Sequence, residues 1–562
     1  MSSRVLENPD NQVRVLRSII TRPVLLVVVV SSAIFLPALV FGVPSNLDLT
    51  NHLRFALPFY DGIRSGHFYP GWLAESNAGY GDASFRFYPP ALYYLLSATR
   101  ALTGGWYDGM LLAFASLFVM GAIGVYLWAR SLFTPRIAVC ASILFSLAPY
   151  HLNQFYQATL LAEFAACSVL PFVFWYVERI CRKQSATNVA GLAALYALLI
   201  LTHLPLTVQG SFALTIYAFL RLDKTIWKKS ILFLTTGVTL GLLASACYWV
   251  TMIAERSWIR ADVIDPIPSV DYRKNFLFST LSPDNLNVWW MNILALFTFA
   301  MFCPALILLH QETRQKLGRH TFSLAMLLIV TFLMSTILAA PVWHLIRPLQ
   351  QTQFPWRWLG IVSMFGAIVS AAAIPEWRRV ARGRLRPLCL AVMSGILISV
   401  AFSFSHIIRE ANFLSPPEFD KALAVIRGSN SVSQWLPVWA SDHPQPMDGQ
   451  IVAPQRAAKV ELWEPERRVF TVAPGPEGPV RIRTFYYPHW KATAAGNELL
   501  LTPAKDGALS ISLPPQAVTV TLQFVEPTRT RGAAIATAFG WLLIAALFFA
   551  GFSTRISRVQ TT

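Results

Sequence analysis

Asp48 and His52 stand four residues apart in NLDLTNHLRF, an interval that puts both side chains on one face of a helix. A carboxylate at the surface of a bilayer can serve as general base toward a hydroxyl acceptor, although Asp and His at this spacing more often form an ordinary helix-surface pair. Trp72, Tyr80, Phe85, Phe87 and Tyr88 follow in the same segment. Rings of this kind stack on sugars or anchor at the headgroup level of a membrane. Arginines further along the chain can hold a lipid phosphate through paired hydrogen bonds. Together these residue types suit glycosyl transfer from a polyprenyl-linked sugar.

What must position them is a membrane body. The chain has 562 residues, of which 55% are hydrophobic and only 13% charged, where a soluble domain would be about 25% charged. Runs such as PVLLVVVVSSAIFLPALVFG reach the roughly 20 apolar residues that cross a bilayer. That first run is too long for a signal peptide and no small-x-small cleavage site follows, so it reads as an uncleaved span. Apolar runs predict twelve spans, near 22–43, 109–128, 136–150, 158–177, 188–203, 205–220, 231–253, 289–309, 321–340, 357–374, 387–404 and 532–551. Basic clusters fall on alternate connections, as an N-in, C-in orientation requires. The net charge of +17 is therefore a topology signal; there is no basic stripe interleaved with aromatics that would bind nucleic acid. The six cysteines lie in or beside apolar runs without any CxxC and read as small buried hydrophobes.

The opposite, external side receives the long segments: 44–108, 255–288, 341–356, and a polar stretch at 405–530 long enough to be a domain. In AVTVTLQFVE, Val518, Val520, Leu522 and Phe524 alternate with Thr519, Thr521 and Gln523, and ALSISL and KVELW behave likewise between PGPEGP and LPP breaks. The expected architecture is a polytopic α-helical membrane domain over 1–404, an extracytoplasmic β-sandwich over 405–530, and a final span with a cytoplasmic tail over 531–562.

Glu163 is the one charge expected well inside a span, where an unpaired carboxylate is costly and commonly functional; the plainer alternative is a loop cap or a partner for backbone groups. His203, Tyr272, Arg273, Gln353 and Arg357 fall on loops that all emerge externally, so carboxylates, histidines and arginines can converge in one cleft. There is no HExxH, GxxxxGK[ST], GxSxG or strand-borne GxGxxG. The scattered histidines give no metal-ligand set, though external carboxylates leave room for one divalent ion.

The stretches NLDLTNHLRF, GIRSGHFYPGWLAESNAGYGDASFRFYPPALYYLL, APYHLNQFYQATLLAEFAACSVLP, SACYWVTMIAE, DYRKNFL, QTQFPWRWLG and TFYYPHWKATAAGNE resemble a group of bacterial membrane proteins. These carry a 6-pyruvoyl-tetrahydropterin-synthase-related membrane domain and are similar in plan to GT-C glycosyltransferases. The resemblance implies a catalytic carboxylate at Asp48, with His52 orienting it or the acceptor. It implies donor-phosphate contacts from Arg357 and Arg273, and places Glu163, His203, Tyr272, Gln353 and Tyr88 at substrate-binding positions. It further implies a bacterial inner-membrane location, a polyprenyl-phosphate sugar as donor, and an envelope lipid or glycan as acceptor. His489 stands where the family pattern has glycine, and Gln157 where it has arginine. Two rival readings remain at this point, a transporter or flippase of lipid-linked sugars and a non-enzymatic envelope scaffold.

Overall fold

The computed structural model describes residues 22–560 except 47, 261–270, 282–285, 381–385, 429–434 and 442–446. Every apolar run falls on a helix, because in lipid a chain must satisfy its backbone groups internally. In order these are Arg22–Phe41, Trp106–Leu132, Pro135–Ser146, Leu161–Arg182, Ala186–Thr202, Leu204–Arg221, Trp227–Ala244 continuing to Ala246–Glu255, Leu286–Phe302, Gln311–Ser335, Trp358–Val380, Arg386–Glu410 and Thr528–Gln560. Among the described residues seven helices are long and apolar enough to span a membrane, and the Trp227–Ala244 and Ala246–Trp258 pair, bent by 67°, makes an eighth. Pro135–Ser146, Ala186–Thr202 and His320–Ser335 are apolar but shorter, so length alone does not fix the expected twelve. The third run ends at Ser146, and Pro149 opens a separate short helix, Pro149–Tyr156, whose residues are all buried.

The body is close-packed by aromatics. Trp128 stacks on Phe174 at 4.8 Å and meets Tyr217 edge-on at 5.4 Å. After the first helix the chain turns at Gly42, where φ is +117° and a Cβ would stand 2.1 Å from the Leu414 carbonyl oxygen. That close approach lets Val43–Pro44 pair antiparallel with Phe413–Leu414. The turn delivers the chain to Leu49–Arg64, an amphipathic helix that buries Leu49, His52, Leu53, Phe55, Ala56, Leu57 and Phe59 and packs on Ala91–Thr103.

The polar stretch near the C-terminus forms two antiparallel sheets. One has four strands in the order Ile451–Val452, Gly478–Phe485, Ala508–Leu513, Leu501–Pro503; the other has five, Ala458–Trp463, Arg467–Val472, Val518–Phe524, Trp490–Ala494, Asn497–Leu499. The expected alternation is present: Val520, Leu522 and Phe524 are buried while Gln523 is exposed. The preceding helix continues through Glu410, past residue 404, and among the described residues the first strand of these two sheets is Ile451–Val452. The first loop docks on this domain, with Tyr80 stacked on Phe485 at 4.9 Å and Trp72 edge-on to Trp490 at 5.6 Å.

Ala495 and Gly496 form a two-residue hairpin loop with φ of 48° and 84°. A type I′ turn needs positive φ at both positions, and alanine there costs about 1 kcal/mol. Ala495→Asn should therefore raise the unfolding midpoint of the protein by the equivalent of about 0.5–1 kcal/mol, read by thermal denaturation in detergent.

Candidate active site

Asp48 is the residue before the Leu49–Arg64 helix, where an aspartate usually accepts a backbone N–H of the first turn. It makes no such capping bond. Its Oδ1 instead accepts from Asn51 Nδ2 at 3.1 Å, and its own N–H donates to Thr159 Oγ1 at 3.1 Å. Thr159 is fully buried in the left-handed region, φ 49°, between the short Pro149–Tyr156 helix and Leu161–Arg182. The main chain is thus anchored at Thr159, and the half-buried carboxylate accepts from Asn51 and, among the described residues, from no N–H of the first turn.

His52 follows one turn later, 3% exposed, with Nδ1 3.0 Å from the Tyr93 hydroxyl. Burial pushes the imidazole pKa down, and the Asp48 charge opposes the shift. Tyr93 also stands edge-on to Tyr88 at 5.9 Å, and the Tyr88 phenol is pushed up by burial and by Asp48 and stays protonated. Tyr88 sits edge-on to His52 at 6.4 Å. It lies within electrostatic reach of Asp48, Arg357 and Glu163 together.

Glu163 is buried in the first turn of its helix and accepts three hydrogen bonds: Tyr150 hydroxyl at 2.7 Å, Gln154 Nε2 at 2.8 Å and Arg357 Nε at 2.9 Å. Arg357 also donates from Nη1 to the Thr352 carbonyl at 2.6 Å and lies over the Phe354 ring at 4.8 Å. Gln353, between these partners, adopts φ 64°, a left-handed conformation that costs a non-glycine residue about 1 kcal/mol. His203 joins two helices, its Nδ1 accepting from the Leu206 N–H at 3.3 Å, and it is within electrostatic reach of Arg357 and His52. A carboxylate and guanidinium paired in this way hold each other's geometry. Removing one donor should be felt: Tyr150→Phe is expected to lower stability by about 1–3 kcal/mol, measured as a shifted unfolding midpoint.

Asp48, His52, Tyr88, Glu163, His203 and Arg357 therefore come together, drawn from five separate segments. Tyr272 and Arg273 do not join them through any hydrogen bond or ion pair among the described residues. Tyr272 stacks on Trp343 at 5.8 Å and bonds His344 Nδ1 at 2.6 Å, while Arg273 is exposed over the Tyr272 ring. The supporting residues Tyr93, Asn51, Thr159, Tyr150 and Gln154 were not singled out from the sequence. Tyr150 and Gln154 were signalled weakly, as polar groups one helical turn apart inside an apolar context.

A second ionic cluster ties the first loop to the sheet domain. Arg86 reaches Glu255 with Nε at 2.5 Å and Nη2 at 2.8 Å, and Glu526 with Nη1 at 2.6 Å. Glu255 is fully buried and also meets Tyr487 Oη at 2.7 Å and His489 Nε2 at 3.0 Å. One residue on, the Phe87 carbonyl accepts from Tyr248 Oη at 3.0 Å. Among the described residues no group of three or more His, Cys, Asp or Glu side chains is placed to hold a metal ion.

No curated protein matches the sequence. The chain is similar in fold to solved membrane glycosyltransferases. Arabinofuranosyltransferase AftD from Mycobacteria is 16% identical with a TM-score of 0.44, over 72% of this chain and 28% of that one. AglB, the oligosaccharyltransferase of Archaeoglobus fulgidus in complex with an inhibitory peptide and a dolichol-phosphate, is 12% identical at 0.42, over 71% and 57%. ArnT from Cupriavidus metallidurans bound to undecaprenyl phosphate is 13% identical at 0.41, over 72% and 77%. The chain thus spans less than two thirds of the length of AftD and of AglB. The model of the 6-pyruvoyl-tetrahydropterin synthase related domain, a membrane protein family, matches residues 85–408, more than half of the chain, and the protein belongs to that family.

Proposed function

We propose that the protein is a glycosyltransferase that moves a sugar from a polyprenyl-phosphate-linked donor to an envelope lipid or glycan. The reaction runs on the extracytoplasmic face of a bacterial inner membrane. The observation that carries this reading is the Asp48 carboxylate. It sits at a helix N-terminus without capping it, lies one turn from a buried His52 bonded to Tyr93, and shares Tyr88 as an electrostatic neighbour with a buried Arg–Glu pair.

In that reading Asp48 takes the proton of an acceptor hydroxyl as its oxygen attacks the anomeric carbon. The bond from that carbon to the phosphate oxygen breaks, the configuration inverts, and the polyprenyl phosphate leaves with the electron pair. Arg357 balances the departing charge through the Nη2 that donates to no described residue, its other nitrogens being engaged by Glu163 and Thr352. Glu163 is its positioning residue. The basic clusters on alternate connections support the orientation.

The test is mass spectrometry of envelope lipids and glycans from a deletion strain, complemented with wild type or with Asp48→Asn at matched expression. Loss of one sugar unit, restored by wild type alone, is the expected result. Full restoration by Asp48→Asn, or an envelope identical in every strain, overturns the reading.

A further inference from the structure

Gln209 is the single amide in the Leu204–Arg221 helix, and it is fully buried. It lies on the helix that His203 heads. An amide inside a membrane body is costly unless its groups are bonded, and a leucine at that position would carry no such penalty. Among the described residues only half of the amide is bonded. Its Nε2 donates to Thr352 Oγ1 at 3.2 Å, while Oε1 has no partner. The one hydrogen bond the side chain makes there runs to the loop that carries Arg357.

Thr352, itself buried, is bonded at both ends. Its hydroxyl donates to the Leu349 carbonyl at 2.7 Å and accepts from Gln209. Its own carbonyl accepts from the Phe354 N–H at 2.7 Å and from Arg357 Nη1 at 2.6 Å. Gln209, Thr352, Arg357 and Glu163 therefore form one buried chain of bonds, from the Leu204–Arg221 helix through the loop to Leu161–Arg182. The next residue, Gln353, is held at φ 64°, which a non-glycine residue keeps only where its surroundings over-determine it. Without the Gln209 bond the turn loses its hydrogen-bonded tie to the helix. The Thr352 carbonyl then shifts as Gln353 relaxes, and the guanidinium bonded to it follows.

We infer that Gln209 is a positioning residue for Arg357, acting through the Thr352 hydroxyl. Glu163 fixes the guanidinium from one side, and Gln209, by way of Thr352, fixes it from the other. Both Gln209 and Thr352 are buried behind Arg357's partners and bind no substrate, so their effect falls on the step in which the phosphate departs. Misplacing a charge-balancing group by about 1 Å costs about 10²-fold in rate. The inference rests on the transferase reading and deepens it.

The experiment is kinetics with the full-length protein in detergent, beside thermal unfolding of each variant. The acceptor is the glycan fraction extracted from the deletion strain, and the donor is the polyprenyl-linked sugar fraction of the same membranes. Gln209→Leu and Thr352→Val should each lower kcat by about 10–100-fold, with both KM values within about 2-fold of wild type. Thr352→Ser, which keeps the hydroxyl, should recover the wild-type kcat. In single turnover, Gln209→Leu added to Arg357→Gln should slow transfer no further, because it acts through Arg357. A kcat within about 2-fold of wild type in both Gln209→Leu and Thr352→Val overturns the assignment. So does a Gln209→Leu effect undiminished in the Arg357→Gln background. A wild type that transfers no sugar overturns the transferase reading instead. The unfolding midpoints of Gln209→Leu, Arg357→Gln and the double variant then decide the coupling: costs that do not add support it, and costs that add overturn it.

Discussion

Asp48→Asn should lower kcat by about 10²–10⁴-fold, the usual worth of a general base, while leaving the protein folded. Both halves of that expectation come from the same geometry. The side chain makes no capping bond to its helix, so the substitution removes no helix cap, and the main-chain anchor to Thr159 stays. Asparagine keeps the size and can still meet Asn51, yet it cannot accept a proton. Asn51→Ala should cost far less in rate, since Asn51 only orients one carboxylate oxygen. The measurement is single-turnover transfer by purified protein beside a thermal unfolding profile. A rate within 3-fold of wild type with an unchanged profile would falsify the base assignment.

Arg86→Met is expected to be the most destabilising single change outside the membrane core. Arg86 is 3% exposed and holds two carboxylates, Glu255 and Glu526, one of them fully buried. Among the described residues, taking away the guanidinium leaves Glu255 with Tyr487, His489 and a 3.4 Å contact from Arg529. Removing one partner of a buried ion pair costs about 3–5 kcal/mol, because the remaining charge is stranded. The double variant Arg86→Met with Glu255→Gln should recover part of the loss, which a merely bulky-side-chain effect would not show. Chemical unfolding in detergent, with limited proteolysis of the sheet domain, reads both. A single variant as stable as wild type would mean that the cluster contributes nothing. Because Phe87 and Tyr88 follow Arg86 directly, the same change should also disturb the site.

The Arg86 cluster accounts for sequence features that the substrate chemistry left unused. Glu255 ends SACYWVTMIAE, Tyr487 and His489 lie in TFYYPHW, and Arg86 lies in FRFYPP. These stretches carry the family resemblance, and four of their charged or polar groups meet at one buried point. His489, where the resemblance implies a glycine, donates from Nε2 to the Glu255 carboxylate there, so the departure has a partner of its own.

The membrane class, the placing of helices and the alternation in the C-terminal strands were all legible in the sequence, because each depends on local hydrophobic period and length. Val520, Leu522 and Phe524 face inward as a two-residue repeat requires. Asp48 and His52 were legible as a pair for the same reason, one helical turn apart. The sequence could not show that Asp48 forgoes its cap, since an N-terminal aspartate has two uses and only the bond to Asn51 and the Thr159 anchor choose between them. Nor could it separate Arg357 from Arg273. Both are arginines on loops between spans, and only packing puts one against Glu163 and leaves the other exposed over Tyr272. Glu163 and Arg357 are 194 residues apart, and Arg86 and Glu526 are 440 apart. Contacts at such separations follow from how helices pack and where the sheet domain docks, and no local period encodes them.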